Sequence, residues 1–439
     1  IIIPFWKGKS MRDKLIAGMT HEWRKCYAAG MFTEFMEQRG PGHTCGGKNV
    51  FIKEFMNTSK GIFWITPKGA NSNNTYIYWQ QAHAIDVVIY AYERNLAAGN
   101  KAQANIYKNY VSKWFQNKGN NYSGGSTGFE NPYTDDMCWI ALTLLRMGEV
   151  FDNNNYFTTA KKLFDNAIMA RAVEEEKGMW LPWNDSEGSG PNACTLSPAC
   201  LIAAKLYMKY GTEKYLDYAE KFYTYMTNHI AKSDGRVEEP PLTYTQGTFG
   251  EACRLLYHIT GNFVYKNKAA TYINYAFTNG RCTHNGLLRH EGTSMDQSLF
   301  KAVLIPYAVN FCLDEKMTIN FRRTIVTALL KNADALWKNL DKEAYPKMYC
   351  PYYWGEAYDS SEAASMGAMA SGASLLENVA RMCKDLTTET GIEIPLMAPD
   401  SQHGNIYSID GTLLRQGSTD LQGLPTGIYV VNGKKVAKK

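Results

Sequence analysis

No run of about 18 consecutive apolar residues occurs in the 439-residue chain, so no segment has the length to cross a bilayer as a helix. The ten cysteines include no CxxC pair, and Cys138, Cys253, Cys312 and Cys383 fall inside apolar helical patterns, where a free thiol behaves as a small hydrophobe. The spacing therefore indicates no disulfide framework. A basic run that could track a phosphate backbone is also missing. The net charge of +5 comes from dispersed lysines and the last few residues, which argues against nucleic acid as a partner. No His, Cys and carboxylate cluster has metal-ligand spacing, so neither metal nor cofactor is expected. The opening Ile1-Ile2-Ile3-Pro4 shows neither an initiator Met nor a signal peptide, and the expectation is a processed or trimmed form.

Aromatic residues are abundant, at 13% of the chain with 29 Tyr and 10 Trp, and many sit in loops, where stacking surfaces for carbohydrate would be expected. The periodic segments are of two kinds. Apolar, small-residue helices are expected near 78–97, 132–150, 195–210, 244–260, 294–313 and 361–384. Between them lie Lys-rich amphipathic helices, near 101–118, 156–171, 214–229, 264–278 and 317–340, each with one apolar stripe. The unit recurs every roughly 50–65 residues, too irregular for a solenoid but suited to helical hairpins closing into a ring. Counting a helix from about Ser10 to Gly30 as outer gives twelve, so the fold expected over residues 1–390 is an all-α (α/α)6 barrel. After Pro395 the pattern alternates around Gly turns, which predicts a small β module over 391–439.

In such a barrel the inner helices start on one face, and the loops before them gather at one mouth. Those loops carry Trp180 and Trp183, then Glu238-Glu239 and Tyr244, then Asp296, and then Trp354. The best-marked helix start is Asn131-Pro132-Tyr133-Thr134-Asp135-Asp136-Met137-Cys138-Trp139, with Pro near the entry and Thr or Asp able to cap. Two acids in a first turn are often capping groups and nothing more. Flanked by Tyr133 and Trp139, however, Asp135 and Asp136 also suit glycoside hydrolysis, in which one carboxyl protonates the leaving oxygen and the other attacks the anomeric carbon or activates water. Adjacent residues can reach either separation, so spacing leaves the stereochemistry open. Glu238-Glu239 is the fallback pair. His83 and Asp86, one helical turn apart, are either satisfied core groups or substrate contacts.

Together these residues resemble glycoside hydrolase family 76, the endo-α-1,6-mannanases, over roughly residues 10–385. Tyr78-Trp79-Gln80-Gln81-Ala82-His83-Ala84-Ile85-Asp86 is similar to that family's aromatic-Gln-Ala-His-x-x-Asp helix, and Asp135-Asp136-Met137-Cys138-Trp139 to its Asp-Asp-x-x-Trp segment. Leu242-Thr243-Tyr244-Thr245-Gln246-Gly247 resembles its Thr-Tyr-Asn-Gln-Gly, and Asp296 with Phe300-Lys301-Ala302 its Asp-x-x-x-Phe-Lys-Gly. Thr134, Thr245 and Ala302 depart from the pattern.

The resemblance implies a retaining, metal-free hydrolase of α-mannan with Asp135 as nucleophile and Asp136 as general acid/base. Substrate contacts are expected from Trp79, His83, Asp86, Tyr133, Trp139, Trp180, Tyr244, Gln246, Asp296, Lys301 and Trp354. The tail, with Leu424-Pro425-Thr426-Gly427-Ile428-Tyr429-Val430, resembles a Bacteroidetes type IX secretion sorting module. That implies a secreted, periplasmic or cell-surface protein and a secretion machinery as partner. A non-catalytic mannan-binding barrel, or another (α/α)6 carbohydrate-active enzyme such as an unsaturated uronyl hydrolase, shares the fold, which alone does not fix function.

Overall fold

The computed structural model describes residues 50–68, 78–120, 124–238, 240–340, 349–388, 406–408, 413–415, 419–431 and 434–438. The chain divides into two compact units, Ile1–Thr390 and Gly391–Lys439.

Six helices form the inner layer of the first unit: α2 (Tyr78–Ala97), α4 (Thr134–Phe151), α6 (Ala193–Tyr210), α8 (Thr243–Thr260), α10 (Phe300–Leu313) and α12 (Met366–Thr388). Each packs on the next, and α12 packs back on α2, which closes the ring. The outer layer consists of α3 (Lys101–Gln116), α5 (Asn154–Leu163), α7 (Glu213–Tyr225), α9 (Phe263–Thr278) and α11 (Ile319–Asn339), each against the inner helix that precedes it.

Burial follows this layering. In α10 nearly every side chain is buried, whereas α3 buries only Ala104, Tyr107, Val111 and Trp114, a single stripe at three- and four-residue steps. Glycine sets two close approaches. A Cβ at Gly247 would lie 2.9 Å from Leu304 Cα, and one at Gly250 would collide with Ile273, so α8 presses on α10 inside and on α9 outside.

The sixth outer position differs from expectation. The helix predicted from Ser10 to Gly30 lies outside the described residues. What packs on α12 is the six-residue α1 (Val50–Phe55), followed by the hairpin of β1 (Met56–Asn57) and β2 (Ile62–Phe63). Phe51, Phe55 and Phe63 are buried there, and Met366 N–H donates to Ile65 O at 2.7 Å. Two further hairpins, β3 (Val173–Glu175) with β4 (Gly178–Trp180) and β5 (Thr283–His284) with β6 (Leu287–Leu288), lie in the loops that enter α6 and α10.

The inner helices run in one direction. Their first turns meet through Trp79, Trp139, Tyr244 and Phe300. Their last turns meet through ion pairs: Arg94–Glu377 at 2.7 Å, Lys205–Glu149 at 2.7 Å and Arg254–Asp314 at 2.8 Å. A cavity of about 600 Å³ opens at this second rim, lined by Glu149, Lys205, Glu251, Arg254, Asn310 and Asp314 among others. Arg254 also bonds Glu251, Asn310 donates to Glu251, and Arg381 donates to Asn310, so the charges there neutralise one another.

In the second unit, β7 (Ile406–Ser408), β8 (Leu413–Arg415), β9 (Gly427–Val431) and β10 (Lys434–Lys438) form an antiparallel sheet in the order β10-β9-β7-β8. Ile406, Tyr429 and Val431 make its small core with Leu421 and Leu424, and the Tyr429 hydroxyl donates to Pro425 O at 2.5 Å.

Within the barrel, Asp86 on α2 pairs with Arg146 on α4, and the guanidinium also lies 5.3 Å from the Tyr90 ring. Burial pushes the Asp86 carboxyl up, but Arg146 and His83 outweigh it and hold the group below the usual carboxylate range. Removing one partner leaves a buried charge. Arg146→Met should cost ~3–5 kcal/mol, and adding Asp86→Asn should recover much of it. Denaturant unfolding of both single variants and the double variant checks this, and simple additivity would show the pair to be uncoupled.

Candidate active site

The start of α4 is built from its surroundings more than from a side-chain cap. Tyr133 is the N-cap residue, with φ −90° and ψ 122° and no capping side-chain bond, although a Thr or Asp cap was expected. The Thr134 amide instead donates to Trp183 O at 2.8 Å. Arg171, which sequence reasoning passed over, donates to Asn131 O, Pro132 O and the Thr134 hydroxyl and clamps the loop that delivers the acids. Asp135 and Asp136 follow in the first turn, both half-buried.

The helix terminus does not by itself set the charge of Asp135. Burial dominates and pushes its carboxyl up to about 6, against the pull of the Asp135 and Asp136 amides, the Cys194 thiol and the Trp183 indole. Cys194 Sγ lies 3.5 Å from Asp135 Oδ2 and 3.1 Å from Asn192 Oδ1. Asp135 Oδ1 is buried without a well-formed hydrogen bond.

Around the pair, Trp79, Trp139, Tyr244 and Phe300 form one aromatic floor. Tyr244 and Phe300 stack at 4.2 Å with 17° between their planes, and Trp139 lies 5.8 Å from Tyr244 and 6.4 Å from Trp79. Tyr133 and Trp183 are both exposed, at 38% and 42%, with ring centroids 5.4 Å apart, and offer an open aromatic face at the rim. Trp183 was legible only as part of its loop. Asp296, also exposed, accepts from Trp79 Nε1 at 2.8 Å and from the Gln80 side chain. Thus Trp79, Tyr133, Trp139, Tyr244 and Asp296 come together at the mouth with the acid pair.

Other expected contacts are committed elsewhere. His83 is buried between Trp79 and Trp139 and faces Asp86 at 3.5 Å. Burial lowers its pKa more than Asp86 raises it, so the imidazole is neutral. Asp86 is engaged by Arg146, below the mouth. Trp180 packs toward Tyr225 on α7 and donates to Glu175 at 2.7 Å. Gln246 is fully buried and ties down Gly235 O, Tyr272 O and the Val237 amide. Trp354 is fully buried, with Lys301 Nζ 4.1 Å from its ring centroid, and Lys301 donates to Tyr352 O at 2.6 Å. Burial lowers the Lys301 pKa to about 8 against the field of Glu291.

The fallback acid is also taken. Glu238 accepts from the Ala193 amide at 3.0 Å, capping α6, while Glu239 lies outside the described residues. Glu291 does the same for α8, accepting from Thr243 N at 2.8 Å and from its hydroxyl at 2.6 Å. Thr134, Thr245 and Ala302, the departures from the expected pattern, are all buried and change packing rather than the exposed rim. Among the described residues no group of three or more His, Cys, Asp or Glu could hold a metal ion, and no helix is long and apolar enough to cross a membrane.

The family model for glycosyl hydrolase family 76 matches residues 48–389. The chain belongs to glycoside hydrolase family 76. Its fold is that of an α-1,6-mannanase from Salegentibacter sp. solved with α-1,6-mannotriose, at 23% identity over 82% of this chain and 99% of that one, with a TM-score of 0.67. A family 76 mannosidase from Bacteroides thetaiotaomicron aligns at 15% identity over 85% and 100% of the two chains, TM-score 0.62. Dfg5 from Chaetomium thermophilum, solved with glucosamine, aligns at 14% over 88% and 93%, TM-score 0.57.

Residues 1–54 match a different model, pyruvate formate lyase-like. A stretch of 61 residues is 57% identical to trans-4-hydroxy-L-proline dehydratase of Clostridioides difficile, covering 14% of this chain and only 8% of that protein. The family 76 likeness therefore begins near residue 48 and not near residue 10, and the predicted Ser10–Gly30 helix falls in the segment with the other likeness.

A carboxyl raised by burial binds its proton more tightly in the folded state than in the unfolded one. Stability is then lost as pH rises from the unfolded value near 4 toward the folded value of about 6. Asp135→Asn should raise stability at pH 7 by on the order of 1–2 kcal/mol and make little difference at pH 4. Thermal melts at the two pH values test this, and a variant less stable at pH 7 would overturn the burial assignment.

Proposed function

We propose that this family 76 enzyme hydrolyses α-1,6-mannosidic bonds with retention, using Asp135 as nucleophile and Asp136 as general acid/base. The observation that carries the reading is the acid pair in the first turn of an inner helix, set between a buried aromatic floor and the exposed Tyr133–Trp183 pair. In the first step the Asp135 carboxylate forms a bond to the anomeric carbon, the glycosidic C–O bond breaks, and Asp136 gives its proton to the leaving oxygen. In the second, Asp136 takes a proton from water, the water oxygen bonds the anomeric carbon, and the Asp135 ester bond breaks.

Two features of relatives support the reading. The Salegentibacter mannanase is described as inactive when two adjacent aspartates are replaced, and it was solved with α-1,6-mannotriose and mannotetraose. In this chain the aromatic rims suit the C–H faces of pyranose rings. We also place the enzyme outside the cytoplasm, where polymeric mannan lies, with the Leu424–Val430 segment as a sorting signal. Deletion of residues 391–439 that leaves export unchanged in a type IX-competent host would sink that part.

Incubated with unbranched α-1,6-mannan and no added metal, the protein should release mannose or short manno-oligosaccharides, with or without chelator. Asp136→Asn should lower turnover on mannan by ~10²–10⁴-fold, and an activated aryl mannoside should suffer less because its leaving group needs no proton. Product chromatography is the readout. Equal losses on both substrates would remove Asp136 from the acid role, and saturable binding without product would point to a mannan-binding protein.

A further inference from the structure

The first turns of three consecutive inner helices are joined by side chains at the acid pair. Asp135 belongs to α4, Cys194 is the second residue of α6, and Tyr244 is the second residue of α8. Cys194 Sγ is 3.5 Å from Asp135 Oδ2, and the Tyr244 hydroxyl is hydrogen-bonded to Cys194. Tyr244 is itself fixed by its 4.2 Å stack on Phe300 of α10. Among the described cysteines Cys194 alone is not buried.

A thiol carries one proton, and Cys194 has two acceptors for it, Asp135 Oδ2 and Asn192 Oδ1, the latter 3.1 Å away. Asn192 Oδ1 already receives the Thr195 amide at 3.0 Å as the N-cap of α6. An ionised carboxylate is the stronger acceptor, so the thiol turns to Asp135 when that group is charged and to Asn192 when it is protonated.

We propose that Cys194, oriented by Tyr244, is a positioning residue for Asp135, donating its S–H to the carboxylate and favouring the ionised form needed for attack. The inference rests on the assignment of Asp135 as nucleophile. The other titratable and charged groups facing the relay are Asp136 and Cys138 on α4, Arg171 behind α4, and Glu238 before α8. Glu238 is held by the Ala193 amide and Arg171 by the 131–134 loop, so neither competes for the thiol proton.

The test has two arms on the full chain. In the first, kcat/KM on α-1,6-mannan is followed against pH for wild type, Cys194→Ala, Cys194→Ser and Tyr244→Phe. Loss of a donor to a charged acceptor should lower kcat/KM near the acid limb about tenfold in Cys194→Ala and move that limb to higher pH. Cys194→Ser, which keeps a donor, should return the limb toward wild type, and Tyr244→Phe should fall between. A uniform drop with an unmoved limb would reduce Cys194 to packing and overturn the proposal.

The second arm does not need turnover. The rate of Cys194 alkylation by iodoacetamide, located by peptide mass spectrometry, is measured against pH in wild type and Asp135→Asn. Because the coupling is reciprocal, loss of the carboxylate should lower the thiol pKa and speed alkylation at fixed pH. An unchanged profile would overturn the proposal. Wild type that cleaves no mannan while Asp135→Asn still shifts the thiol would defeat the mannanase reading and leave the Cys194–Asp135 coupling standing.

Discussion

Six inner helices that start at one rim bring their unpaired N-terminal amides and the positive ends of their dipoles to the same small area. The rest of the mouth answers that constraint. Glu238 reaches from the loop before α8 to cap α6, Glu291 reaches from the loop before α10 to cap α8, and the carbonyl of Trp183 from the loop before α6 takes the first amide of α4. Each loop thus serves the helix that precedes it in the ring. The two acids on α4 therefore stand in a first turn whose leading amide is already taken by a neighbouring loop. Positive ends alone do not make a strong acid of Asp135, because its burial outweighs them.

The opposite rim has the reverse problem, since C-terminal carbonyls favour cations. Arg94, Arg254, Lys205 and Arg381 supply them, each in contact with an acid or amide of a neighbouring helix or its C-cap. The polar lining of the roughly 600 Å³ hollow there, Glu149, Lys205, Glu251, Arg254, Asn310 and Asp314, is accordingly paired within itself.

Much of this was legible in the sequence. Alternating helix character gave the two layers because inner helices must be apolar on almost every side, and the 78–97 segment matches α2 end to end. Asp135 and Asp136 were visible because local rules mark helix starts. Trp180, Gln246 and Trp354 were misplaced because the sequence shows that an aromatic or amide lies near the mouth but not which way it faces. Trp180 turns outward onto α7 and Trp354 sinks under Lys301. Arg171, Glu291 and Cys194 went unseen for a related reason: their partners lie between about 40 and 60 residues away in sequence, and no local pattern announces them. The Ser10–Gly30 helix shows the converse failure. Good periodicity marks an amphipathic helix without saying to which fold it belongs.

Closure of α12 onto α2 joins residues 78–97 with residues 366–388, as in the Arg94–Glu377 pair, so the ring is completed by its most sequence-distant contact. That contact closes the longest loop in the barrel, and its closure entropy is offset by the α12–α2 packing. The inner ring itself is continuous, each helix packed on the next. The short second-rim turns at Gly99-Asn100, Gly211-Thr212 and Gly261-Asn262 each carry a glycine at positive φ and lie away from the acid pair, so a cut placed in any of them would leave the order of helices around the mouth unchanged.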